Sequence, residues 1–73
     1  MLEMNKTYDW DYIGKVCPDK WAIVTDVKRK AGAIETVKLL AIVNHGEEPD
    51  YLGKYLDKGI KCEAIRTTEN LPS

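Results

Sequence analysis

The side chains best suited to covalent chemistry are two cysteines, Cys17 and Cys62, and a single histidine, His45. A cysteine nucleophile with a histidine base is the one covalent catalytic pair that this composition allows. Neither cysteine has the flanking residues of a known thiol enzyme. Cys62 also alternates inward on an apolar segment, which is typical of a small core residue. The sequence therefore predicts no catalytic residues and a protein that is not an enzyme.

Metal and cofactor sites are also not indicated. The same three side chains would need a carboxylate to complete a zinc site, and no Cys-x-x-Cys or His-x-x-x-His spacing arranges them in advance. The segment Asn44-His45-Gly46 precedes a predicted helix, as a phosphate loop would. Glu47, Glu48 and Asp50 occupy the start of that helix, however, and carboxylates already complement its dipole. We expect neither a metal nor a cofactor.

The basic segment Lys28-Arg29-Lys30 is the one feature that suggests nucleic-acid binding. Three adjacent cations on a hairpin tip could contact a phosphate backbone, with nearby aromatic rings stacking on bases. The alternative is a solvated turn whose charges protect a strand edge from aggregation. Eleven basic residues against twelve acidic ones give a net charge of -1, so no long-range field attracts the chain to a polyanion.

Aromatic residues are numerous for a chain without phenylalanine. Tryptophan and tyrosine dominate the hot spots of protein interfaces, so any of these rings left exposed would mark a contact surface. We single out Trp10 and Tyr12 as candidates. The full set is Tyr8, Trp10, Tyr12, Trp21, Tyr51 and Tyr55.

The elements that must position these residues begin with an ambiguous segment. Aromatic residues alternate with aspartates from Tyr8 to Tyr12, as in a half-buried strand. A helix also fits, with Thr7 as its N-cap and the aspartates in its first turns. We predict a helix from about Tyr8 to Val16, stopped by Pro18.

Two strands follow. Trp21–Val27 is rich in β-branched and aromatic residues, and the basic, glycine-containing stretch Lys28–Gly32 is expected to turn the chain into a second strand, about Ala33–Asn44. That strand is apolar at every position from Leu39 to Val43. A strand of this kind is central in its sheet or covered on both faces.

A helix of about Pro49–Lys58, with Gly59 as its C-cap, and a last strand of about Ile60–Thr67 complete the chain. The order α-β-β-α-β predicts an α+β fold, a two-layer sandwich of a three-stranded mixed sheet and two helices. The crossover rule places the last strand parallel to the second, which lies in the centre. Residues 1–73 form a single domain, and residues 1–6 and 68–73 are expected to fray.

Several segments together resemble a family of short prokaryotic α/β domains of unknown function. The resemblance supports the order of elements and implies no activity. It is carried by Tyr8-Asp9-Trp10, Pro18-Asp19-Lys20-Trp21-Ala22-Ile23-Val24, Asn44-His45-Gly46, a short helix ending at Lys58-Gly59, and a final isoleucine-containing strand.

Composition bounds the remaining classes. The 73 residues are 44% hydrophobic and 32% charged, which excludes a disordered tail or low-complexity linker. The apolar run Val37–Val43 is far shorter than the roughly 20 residues that span a bilayer. The first six residues lack the features of a secretory signal. We therefore expect a cytoplasmic protein that does not enter membranes, with two free thiols.

By elimination, the sequence predicts a small non-enzymatic protein-interaction module, such as a bacterial or phage regulator or inhibitor. Nucleic-acid binding through the basic hairpin tip is the alternative. Two short helices are too few to cover both faces of the second strand, so Leu40 and Ile42 are expected to drive formation of a homodimer. The candidate partner-binding residues are Trp10, Tyr12, Lys28, Arg29, Lys30, Leu40 and Ile42.

Overall fold

A computed structural model describes residues 2–67 and contains four strands and two helices in the order β-α-β-β-α-β. Two helices pack against one sheet, which gives the α+β class predicted from the sequence. The elements are β1 (Lys6–Asp9), α1 (Trp10–Val16), β2 (Trp21–Lys30), β3 (Ala33–Val43), α2 (Glu48–Asp57) and β4 (Glu63–Arg66).

The sheet is four-stranded and antiparallel, in the order β1-β3-β2-β4. The predicted three-stranded mixed sheet is therefore wrong in two respects. A strand precedes the first helix, and β4 pairs with β2 instead of β3. Strand β4 does run in the same direction as β3, as the crossover rule requires, but β2 lies between them.

The ambiguous aromatic segment is both a strand and a helix. Lys6–Asp9 pairs with β3, and Asp9 then takes the N-cap position of α1 with an extended backbone (φ -66°, ψ 136°). Thr7 lies inside β1 and does not cap the helix. Aspartate is among the best N-cap residues, so the chain leaves β1 and enters α1 at a residue suited to the start of a helix, although the Asp9 side chain forms no capping hydrogen bond.

The β2–β3 hairpin turns at Ala31 and Gly32, which both have positive φ (54° and 83°). A two-residue turn with two positive φ angles matches the natural twist of the flanking strands. Strand β2 therefore continues to Lys30. The basic residues Lys28–Lys30, predicted to form the turn, belong to the strand instead.

The two helices lie on opposite faces of the sheet. Helix α1 connects the parallel strands β1 and β2 across β3, and α2 connects the parallel strands β3 and β4 across β2. Both crossovers move the same way along the sheet, but they start from strands that point in opposite directions. Crossovers of the same hand must then place their helices on opposite faces. The result is three layers, which replaces the predicted two-layer sandwich.

Each face consequently has its own hydrophobic cluster. The α1 cluster contains completely buried residues, whereas α2 contributes no buried residue and its Leu56 is 50% exposed. The buried members on the α1 side are Trp10, Ile13, Ala22, Val24, Ile34, Val37, Leu39 and Ile65. Those on the α2 side are Ile23, Leu40 and Val43, with Trp21, Ala41, Leu52, Tyr55, Ile60, Cys62 and Ala64 packed around them.

A β-bulge at Leu40 explains how β3 serves both clusters. Ile23 pairs with Ala41 and Val24 with Leu39, so Leu40 has no partner on β2. The extra residue turns both Leu40 and Ala41 toward α2, and Ile42 returns to the α1 side. The Tyr55 hydroxyl donates a hydrogen bond of 3.2 Å to the Leu40 carbonyl. The face expected to lie bare is therefore covered by α2.

The N-terminal residues contact the body of the protein. Leu2 packs against the α1 cluster, the backbone N–H of Glu3 donates to the Tyr8 hydroxyl at 2.8 Å, and Lys6 opens β1. The predicted fraying of residues 68–73 concerns residues outside the described range. No helix within residues 2–67 is long and apolar enough to cross a membrane.

Candidate interaction groove

Cys17, Cys62 and His45 lie in separate parts of the fold. Cys17 is the C-cap of α1, and its backbone N–H donates to the Ile13 carbonyl. Cys62 precedes β4 in the α2 cluster, where burial raises the pKa of its thiol. His45 accepts a hydrogen bond from the Trp21 indole. Among residues 2–67, neither thiol is hydrogen-bonded to the imidazole, and no group of three metal-binding side chains forms.

The three basic hairpin residues have different neighbours. Arg29 forms an ion pair with Glu63 of β4, with 3.7 Å between Nη2 and Oε1. Lys28 lines a shallow depression with Thr7, Asp26 and Val27. Lys30 lines a groove beside α1. Of the three cations, Arg29 alone forms an ion pair within residues 2–67.

Two of the apolar candidate residues are buried. Trp10 is completely buried in the α1 cluster, and Leu40 is 6% exposed. Ile42 is half-buried on the face opposite Leu40. A partner cannot contact Trp10 or Leu40 in the folded chain. Leu40 and Ile42 also do not share a face, because the bulge at Leu40 separates them.

Tyr12 and Lys30 are brought together. They line one open groove of about 560 Å³ between α1 and the tip of the β2–β3 hairpin. The groove forms because β1 runs toward the hairpin tip, so that α1 starts there: Asp9 is paired with Thr36, close to the turn. The complete lining is Asp9, Asp11, Tyr12, Lys15, Lys30, Ala31, Ala33, Ile34 and Glu35.

Tyr12 is the exposed aromatic residue of this groove. Its side chain is 45% exposed, and its ring stacks on Tyr8 with centroids 5.9 Å apart and planes inclined by 21°. Val16, one helical turn later, is also exposed. Residues four apart lie on the same side of a helix. Helix α1 thus buries Trp10 and Ile13 and presents a tyrosine and a valine to solvent.

Five charged side chains line the groove, and none forms an ion pair within the described part of the chain. Three are acidic and two are basic. Sequence reasoning treated Asp9 and Asp11 as partners of the helix dipole and gave no role to Lys15 or Glu35. The register of β1 on β3, which gathers Asp9 and Glu35, was the missing information.

A four-stranded antiparallel sheet between two helices, with one open groove beside the hairpin, defines a small α/β/α domain. Comparisons with protein-family models, with curated proteins and with solved structures found no match for this chain. The resemblance to short prokaryotic domains of unknown function stays a prediction.

Proposed function

We propose that this chain is a small non-enzymatic protein-interaction module that binds its partner in the groove between α1 and the hairpin. The observation that carries the proposal is the exposed Tyr12 ring in a groove whose charged side chains form no ion pair within residues 2–67. Tyrosine combines a large contact area with a hydroxyl group, and it is enriched among the residues that dominate binding energy.

The groove also has the layout of an interface. Ala31, Ala33 and Ile34 supply apolar lining, and five charged side chains line the same groove. Protein-binding surfaces commonly combine apolar contacts with polar groups. A partner would remove Tyr12 from water and pair charges that now face solvent, so both changes would favour binding.

We propose further that the module is a bacterial or phage regulator or inhibitor that works in the cytoplasm. The resemblance to short prokaryotic domains supports this origin. Cys17 and Cys62 are both free, which fits a reducing compartment. Within this proposal the protein acts by occupying a partner's surface.

Nucleic-acid binding is the less favoured alternative. The pairing of Arg29 with Glu63 and the net charge of -1 weaken it, since a phosphate backbone needs several available cations on one surface. Titration with single- and double-stranded DNA and RNA at low and moderate salt separates the two ideas. A salt-sensitive affinity that is lost on reversing the charge of Lys28 and Lys30 would favour the alternative.

A second copy of the chain is one candidate partner. The sequence argument for a homodimer relied on a bare sheet face at Leu40 and Ile42, which the fold does not provide. Self-association therefore needs a different surface, and the groove with Tyr12 and Val16 is the one we propose. Sedimentation of the wild type and of Tyr12→Glu across a range of concentrations tests this point. A mass that stays monomeric at high concentration would remove the dimer.

The main proposal is tested by affinity capture with three forms of the chain. The wild type and Tyr51→Glu should retain the same partner from a native lysate, and Tyr12→Glu should lose it. Tyr51 is a matched control because it is an exposed tyrosine on α2, away from the groove. Equal capture by all three forms would show that the partner binds elsewhere.

A further inference from the structure

The carboxylates of the groove gather around the start of α1. Asp9 caps the helix and pairs with Thr36, so Glu35 on β3 lies close to it, and Asp11 follows in the first turn. All three line the groove. No cation within residues 2–67 forms an ion pair with any of them.

An aromatic ring borders these carboxylates. Tyr12 follows Asp11 directly and lines the same groove, and its stacking on Tyr8 holds the ring in place. A guanidinium group binds carboxylates through charge-assisted hydrogen bonds and binds an aromatic face through its positive charge. An ammonium group does the same with less geometric demand. The carboxylates and the tyrosine ring together favour a positively charged group on the partner.

The apolar lining of the groove favours an apolar residue next to that cation in the partner. Ala33 and Ile34 line the groove with the charged side chains and offer an apolar surface. Taking the two features together, we infer that the groove binds a partner segment in which an arginine or lysine stands next to an apolar residue. This inference rests on the proposed function and names the chemistry of the partner.

The two lysines of the groove limit the partner further. Lys15 and Lys30 leave the groove with a surplus of one negative charge, since three carboxylates face two ammonium groups. A nucleic acid would bring its phosphates against all three carboxylates, and an acidic segment would do the same. A segment with a single basic residue can pair with the carboxylates and brings only one positive charge near Lys15 and Lys30.

The test is a selection of random peptides displayed on phage against the full chain. We expect the wild type to enrich peptides with arginine or lysine beside an apolar residue. The dissociation constant of the best peptide, measured by calorimetry, should rise about tenfold or more in the triple variant Asp9→Asn, Asp11→Asn, Glu35→Gln. Asparagine is also a good N-cap residue, so α1 should still form in this variant.

A matched control changes three carboxylates outside the groove. Asp26→Asn, Asp50→Asn and Asp57→Asn together alter the net charge by the same amount, and none of these residues lines the groove. Asp26 has positive φ (50°), which asparagine tolerates well. Peptide affinity should therefore stay close to that of the wild type. An equal loss of peptide affinity in both triple variants would show that the loss comes from net charge alone and would overturn the inference.

Mapping by NMR separates the two proposals. Peptides that shift the amide signals of the groove but show no enrichment in basic residues would overturn the inference and leave the interaction module standing. Peptides that bind the wild type and the groove variant equally would do the same. A selection in which no peptide shifts the groove signals would overturn both.

Discussion

The indole N–H of Trp21 donates a hydrogen bond of 3.0 Å to Nδ1 of His45, and the two ring centroids lie 6.2 Å apart. The bond joins the start of β2 to the loop between β3 and α2. Nδ1 accepts this hydrogen bond through its lone pair, so the ring hydrogen of the imidazole lies on Nε2. The bond therefore ties the loop to the start of β2.

The variant His45→Phe tests this bond. It keeps a ring at the position but offers no acceptor, so the Trp21 indole proton loses its hydrogen-bond partner and its NMR signal should shift. The bond from Lys20 Nζ to Asn44 Oδ1, 2.6 Å long, remains to hold the loop. An unchanged Trp21 indole signal in His45→Phe would show that His45 is not its acceptor.

The Asp19–Arg66 pair predicts a loss of stability in acid. The hydrogen bond from Arg66 and its positive charge lower the pKa of Asp19 below the ordinary value of 3.8. A lowered folded-state pKa contributes stability above pH 3.8, and this stability disappears as the pH falls through the lowered pKa. Urea unfolding at a series of pH values measures it.

The comparison for that pair is Asp19→Asn. Asp19 has positive φ (57°), and asparagine accepts this backbone conformation, so the variant removes the charge without straining the turn. The wild type should be more stable than the variant near neutral pH, and the difference should shrink below pH 3.8. A difference that is independent of pH would exclude an ionic contribution.

The hairpin turn offers a stabilising substitution. Ala31 has φ of 54°, a left-handed conformation that costs an ordinary residue about 1 kcal/mol or more. Ala31→Asn should raise the free energy of unfolding by about 0.5 to 1 kcal/mol, because asparagine tolerates this conformation. Gly32→Ala should lower it, although nothing lies within 4 Å of the added Cβ. Chemical denaturation measures both, and opposite signs are required.

Two leucines distinguish the covered sheet face from the outer surface of α2. Leu40 is buried beneath α2, and Leu56 is half exposed. Leu40→Ala should cost about 2 to 5 kcal/mol of unfolding free energy, as for other buried leucines, and Leu56→Ala should cost about 0.5 kcal/mol, as for surface changes. Similar small losses from both, in thermal or urea unfolding, would mean that α2 does not cover the sheet.

The Cys62 thiol should react more slowly in the folded chain than in the denatured chain. Burial raises the pKa of Cys62, so less of the reactive thiolate is present at a given pH. Alkylation of Cys62 by iodoacetamide, followed by mass spectrometry, should be several times slower in the folded chain than in urea. Cys17 supplies the second site in the same sample. An equal rate for Cys62 in both conditions would place its thiol in open solvent.

Much of the fold could be predicted from local pattern. The strand beginning at Trp21, the strand beginning at Ala33 and the helix near Pro49 are each found within a few residues of their predicted limits. Sheet topology was not predictable in this way, because β1 has four residues and their partners on β3 lie 27 to 33 residues away. The bulge at Leu40 arises from strand pairing and leaves no mark in the apolar run Leu39–Val43.

The candidate site was predictable in part for the same reason. An exposed tyrosine and a basic hairpin residue were both singled out, and Tyr12 and Lys30 do line one groove. Trp10, two residues earlier on α1, has the same chemistry but faces the core. Which aromatic residue points outward depends on where the helix starts, and Asp9 sets that start. Glu35 and Lys15 join the groove through tertiary contacts alone.

The interleaved crossovers constrain the order in which the chain can assemble. During synthesis β1 and α1 emerge first, yet the strand that lies between β1 and β2 is β3, which follows both. The first crossover unit therefore cannot close until the β2–β3 hairpin inserts its second strand, and the second unit must wait for β4. We expect the hairpin, whose contacts are local, to act as the folding nucleus. A nascent chain that stops before residue 33 has no strand to bridge β1 and β2, and the sheet is complete only after β4 has been added.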